Sequence, residues 1–91
     1  MSDSQTTRVE TLRQVEVELV PKQLLPGILY HSEKYDTCIH LCACGCGNKT
    51  VTPLHGDGWK LTEGPTLTPS IGNMKVCGAH YQVIGEKIQW C

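Results

Sequence analysis

Between Cys38 and Gly47 the chain reads Cys-Ile-His-Leu-Cys-Ala-Cys-Gly-Cys-Gly, four cysteines and a histidine within ten residues. About thirty residues later, Cys77-Gly-Ala-His80 offers one more thiol and one more imidazole. Thiolate sulfur and imidazole nitrogen are the donors that Zn²⁺ prefers, and a Cys-x-Cys group answered by a distant Cys-x-x-His supplies them from two segments. Cys44, Cys46, Cys77 and His80 are the expected ligands. If Ile39–Cys44 is extended, His40, Cys42 and Cys44 share a face, with neighbours about 7 Å apart along the strand. Sulfurs about 2.3 Å from one ion lie only about 4 Å apart. Gly45 and Gly47 admit positive φ, so the bend is expected at Cys44-Gly-Cys46-Gly, with Cys42 as a substitute ligand. An ion held by three Cys and one His has no position left for water and is structural.

Hydrolytic chemistry would then need other groups. The candidates are His40, Ser70, Glu33, Asn73, His31 and His55. His40 precedes Cys42 by two residues and is either a ligand, a packed residue or a general base, since imidazole titrates near neutral pH. Ser70 stands in Pro69-Ser-Ile-Gly-Asn73, where small residues leave backbone N–H groups open for an oxyanion and Asn73 can add a side-chain donor. Most such stretches are turns. Glu33 or Asp36 could orient the histidine. His31 and His55 are expected at the surface, and Trp59 and Trp90 in the core with their N–H at its edge.

The elements that must position these groups are short. Arg13–Val20 alternates Val15, Val17 and Leu19 with Glu16 and Glu18, the period of a strand with one wet face, and Pro21 ends it. Part of Thr6–Gln14 has helical-turn character as an alternative. Ile28–His31 follows a Pro-Gly turn, Ser32–Asp36 is a polar link, and Thr37–Cys42 feeds the cysteine cluster. Asn48-Lys49 marks a hairpin tip, and Thr50–Leu54 returns. Trp59–Thr62 pairs with Thr66–Thr68, Pro69–Asn73 reads as an irregular loop, and Met74–Val76 leads into Cys77. Tyr81–Ile84 and Lys87–Trp90 flank Gly85-Glu86, where Gly at the first central position suits a type II′ turn. The expected fold is all-β, roughly seven short antiparallel strands around a zinc knuckle, in a single domain 1–91 with a loose segment 1–12.

Composition limits the function classes. With 91 residues, nine Gly, five Pro and no Phe, the chain has a small core, and a bound metal would add stability on the order of 10 kcal/mol. A net charge of −1 with no basic stripe argues against nucleic acid. No apolar run approaches a membrane span. Met1–Thr7 is polar and unlike a secretory signal. A reducing, cytoplasmic compartment follows, and with it metal in preference to disulfides.

Several of these stretches, taken in order, resemble one known family. They are Leu29-Tyr-His-Ser-Glu33, Thr37–Gly47, Val51–Leu54, Trp59-Lys-Leu-Thr62, Pro69–Asn73 and Cys77-x-x-His-Tyr81. The family comprises small bacterial proteins, catalogued as a domain of unknown function, whose genes lie beside ubiquitin-like, activating-enzyme-like and conjugating-enzyme-like genes. The resemblance implies a serine-type peptidase acting on the ubiquitin-like protein of that operon. It implies Ser70 as nucleophile, His40 as base and Glu33 as orienting carboxylate, with Cys44, Cys46, Cys77 and His80 on the metal. Two other readings compete with it. In one, a zinc-bound adaptor docks a modifier or conjugating enzyme without catalysis. In the other, a metallopeptidase uses His40 or His80 on an open zinc, with Glu33 as base.

Overall fold

The computed structural model describes residues 8–73 and 77–91, and of Asn73 the backbone alone. Its eight strands form two four-stranded sheets. The first contains β1 (Arg13–Glu16), β2 (Ile28–Ser32), β3 (Thr37–Leu41) and β4 (Lys49–Pro53) in that order. The second contains β5 (Lys60–Thr62), β6 (Thr66–Asn73), β7 (Ala79–Ile84) and β8 (Lys87–Trp90). The fold is all-β, as expected, and no helix among the described residues is long and apolar enough to cross a membrane.

The core lies where the inner faces of the sheets meet. On β7 the alternation is strict: Ala79, Tyr81 and Val83 are buried, while His80 and Ile84 point outward. Leu67, Ile71 and Ile88 join them from β6 and β8, and Leu12, Leu29, Cys38 and Cys42 close the cluster from the other side. Period-two burial of this kind is what the pleat imposes on a half-covered sheet. The inner face contributed by β3 and β4 is more polar, carrying Cys38, His40, Thr50 and Thr52.

Four expectations are corrected. β1 pairs with β2 in parallel, Arg13 opposite Ile28 through Glu16 opposite His31, so the sheets are not wholly antiparallel. The strand also ends at Glu16 rather than Val20, because residues 17–27 must cross over to bring β2 alongside it in the same direction. Pro69–Asn73 is not a loop but the second half of β6. Its register against β7 slips between Leu67 and Ile71, where Pro69 has no N–H to give the ladder. The turn at Gly85-Glu86 has φ of 54° and 79°; positive values at both central residues make it type I′ rather than II′.

Residues 9–12 are also held. Ile88 N–H donates to the Glu10 carbonyl, Leu12 N–H to that of Glu86, and Val9 N–H to that of Ala43. This part of the segment expected to be loose runs along β8 and ties the second sheet to the cysteine loop. The expectations for Met1–Thr7 and Met74–Val76 lie outside the described residues.

Leu67 is fully buried at the centre of the cluster. Leu67→Ala is expected to lower the free energy of unfolding by about 2–5 kcal/mol, the range for a buried leucine. A fall in the urea midpoint at unchanged slope is the check.

Candidate metal centre and serine–histidine pair

The β3–β4 connection, residues 42–48, is built to bring sulfurs together. β3 ends at Leu41, and the chain turns at once, with Gly45 N–H donating to the Cys42 carbonyl at 3.1 Å. Gly45 and Gly47 have φ of 90° and 85°, values that a residue with a side chain rarely adopts. The bend therefore starts two residues earlier than the spacing led one to expect, and it folds Cys42 back onto Cys44. Cys42 Sγ lies 3.5 Å from Cys44 Sγ and 3.6 Å from Cys77 Sγ, and Cys44 Sγ lies 3.5 Å from Cys77 Sγ. With Cys46 added, all four sulfurs fall within 4.8 Å of one another.

Ligands of a tetrahedral zinc–thiolate centre are about 3.8 Å apart when each bond is about 2.3 Å. The cluster fits that geometry, so the four cysteines can hold a metal ion. The group that could hold it is Cys42, Cys44, Cys46 and Cys77, with Cys42, the expected substitute, beside the other three sulfurs in place of His80. Cys46 is primed for the task. Its thiol is held down to about 6, first by the backbone N–H of Asn48 and further by the Asn48 side-chain amide, whose nitrogen lies 3.1 Å from the sulfur. Cys44 is pushed up to about 12 by burial and then by its hydrogen bonds with the other thiols.

His80 faces the other way. Ala79 is buried, so its neighbour on the strand points to the outer face, where His80 stands opposite Gly72 of β6. Ser70 is two residues further back on β6, on the bulged stretch. Its Oγ lies 2.9 Å from His80 Nε2. The serine is half-buried and the histidine exposed, and Gly72 has no side chain to cover the pair. Beyond His80 opens a groove of about 340 Å³, lined also by Arg8, Cys77, Gly78, Trp90 and Cys91.

His40, expected as base, is instead fully buried at 0% exposure. Its Nε2 lies 2.7 Å from the Tyr81 hydroxyl, which also accepts the Ala43 N–H at 3.3 Å. Burial pushes its imidazole down to about 4, so at neutral pH it is an uncharged interior strut under the cysteine loop. The reason is parity: on β3, Cys38, His40 and then Cys42 all face the core.

Glu33 stands exposed in the turn before β3, at the end of that strand remote from the cysteine loop. Among the described residues no carboxylate is hydrogen-bonded to His80. Asn73 lies on β6 opposite Ala79, and its side chain is outside the described residues. His31 pairs with Glu16 at 2.6 Å, and His55 is exposed in a loop. Sequence reasoning passed over the approach of His80 to Ser70. The available signal was the two-residue offset between Ser70 and Gly72, which matters only once Gly72 is known to face His80.

A family model described as bacterial ubiquitination-like system serine protease matches residues 16–91. No curated protein and no solved structure matches the chain.

Cys42→Ser is expected to bind well under one equivalent of metal, whereas His80→Ala keeps a full equivalent. Metal content of the purified variants by atomic emission distinguishes this ligand set from one that includes His80.

Proposed function

The chain belongs to the bacterial ubiquitination-like system serine protease family, and on that premise we propose that it is a serine peptidase with Ser70 as nucleophile and His80 as general base. Its substrate in this reading is the ubiquitin-like protein of such a system, which it processes or releases from conjugates. The observation that carries the reading is the 2.9 Å approach of Ser70 Oγ to His80 Nε2 on an open surface. Within that distance the imidazole can take the hydroxyl proton as the oxygen attacks a carbonyl carbon.

Attack breaks the carbonyl π bond and leaves a tetrahedral oxyanion, which in this reading backbone N–H groups near Ser70 would stabilise. His80, now protonated, returns its proton to the departing amine. The C–N bond breaks, and the acyl group stays on Ser70. Water, deprotonated by the same imidazole, then hydrolyses the ester and restores the serine.

The four cysteines serve a different purpose. A zinc ion bound there would supply a structural cross-link, since four thiolates leave no coordination position for water. This is why a metallopeptidase reading is less well supported than the serine one. The cross-link would sit next to the pair in sequence: Cys77 stands two residues before β7, and His80 is the second residue of that strand. Loss of the ion is expected to unfold so small a domain rather than to stop chemistry selectively.

Ser70→Ala and His80→Ala are each expected to lower kcat/KM by about 10³-fold or more, as removal of a member of such a pair does, with the fold and metal content retained. Cleavage of the ubiquitin-like protein followed by mass spectrometry is the measurement. Wild-type rates in either variant would contradict the assignment.

A further inference from the structure

Resting on the reading above, we infer that Arg8 is a specificity residue: it pairs with a carboxylate on the segment that leaves after cleavage. Arg8 precedes the 16–91 stretch that carries the family match, and its position is fixed by backbone bonds from its neighbours. Val9 N–H donates to the Ala43 carbonyl at 2.7 Å, and the Glu10 carbonyl accepts Ile88 N–H at 2.9 Å. The Arg8 guanidinium carbon lies 4.2 Å from the centre of the Trp90 ring. Stacking of that kind holds the plane of the group while its N–H donors remain free at the rim.

The groove beyond His80 has this guanidinium in its wall; its other polar lining is His80 and the sulfurs of Cys44, Cys77 and Cys91, with no Asp or Glu side chain. Among the described residues no carboxylate pairs with Arg8. The volume, about 340 Å³, is at the small end of ligand sites, enough for a short stretch of peptide.

The chemistry decides which part of a substrate lies there. His80 must give its proton to the leaving nitrogen, so the chain on that side of the scissile bond passes the imidazole. The groove includes His80 and not Ser70 among its lining. It therefore takes the leaving segment, and the cation in its wall meets whatever negative charge that segment bears. Two sources supply the same chemistry: an acidic side chain shortly after the cut, or the free terminal carboxylate of a short leaving tail.

Internally quenched peptides built on the C-terminal tail of the ubiquitin-like protein test this. They differ only after the scissile bond: Gln with an amidated end, Glu with an amidated end, Gln with a free carboxylate, and Lys with an amidated end. Wild type is expected to favour one or both carboxylate peptides over Gln-amide by about three- to tenfold in kcat/KM, the scale of a partly exposed ion pair. That ratio falls to about one in Arg8→Ala and turns toward the Lys peptide in Arg8→Glu. Preference for Glu alone identifies a side chain as the source, and preference for the free acid alone identifies the terminus. No carboxylate preference in wild type, or one that survives in Arg8→Ala, overturns the inference and leaves Arg8 as packing for Trp90. If wild type cleaves none of the peptides, the serine peptidase reading fails by itself. The same ratios, read as Kd on Ser70→Ala by fluorescence anisotropy, then still decide the role of Arg8.

Discussion

Four sulfurs within 4.8 Å of one another join the β3–β4 loop to the start of β7, and the placement of the other chemical groups follows from that joint. A loop with glycines at positions 45 and 47 has much conformational freedom in the unfolded chain. Closing it on Cys77 fixes where β7 begins, and the pleat then determines which side chains face in. Ala79 and Tyr81 go to the core, and His80 goes to the outer face beside Ser70. The same joint places Tyr81 so that its hydroxyl meets both Ala43 N–H and His40, and so supports the loop from below.

Neither histidine stands where it was expected: His40 is buried against Tyr81, and His80 lies beside Ser70. His40 is close to the cysteines in sequence yet sealed in the interior, where a neutral imidazole hydrogen-bonded to a buried phenol satisfies part of its polarity. His80 is the residue in a Cys-x-x-His pattern that sequence reads as a ligand. Cys77, however, lies before β7 and not on it, so the pleat sets the direction of His80 alone. Here the strand begins at Ala79 and carries His80 away from the sulfurs.

Much of the architecture was legible in the sequence. Alternation marked Tyr81–Ile84 and Lys87–Trp90, Thr and Val marked the return strand after the cysteines, and the cysteine spacing announced a cluster able to hold a metal ion. Less legible were features that depend on pairing between distant segments. The parallel match of β1 with β2 leaves no local trace, because Arg13–Glu16 alternates in the same way with either partner. Pro69-Ser-Ile-Gly-Asn73 has a loop's composition and is strand only because β7 lies alongside it. That Cys42 joins the sulfur cluster turned on where one bend begins, a difference of two residues that glycine spacing alone does not resolve. The family resemblance pointed to serine chemistry, but that His80 and not His40 lies beside Ser70 needed the register of β6 against β7.

An ion held by sulfur alone would leave His80 free for Ser70. X-ray absorption at the zinc edge of the metal-loaded protein tests it directly. The expected result is four sulfurs at about 2.3 Å from the metal with no imidazole scattering. A shell of three sulfurs and one nitrogen at about 2.0–2.1 Å would contradict it, because a histidine would then be on the metal.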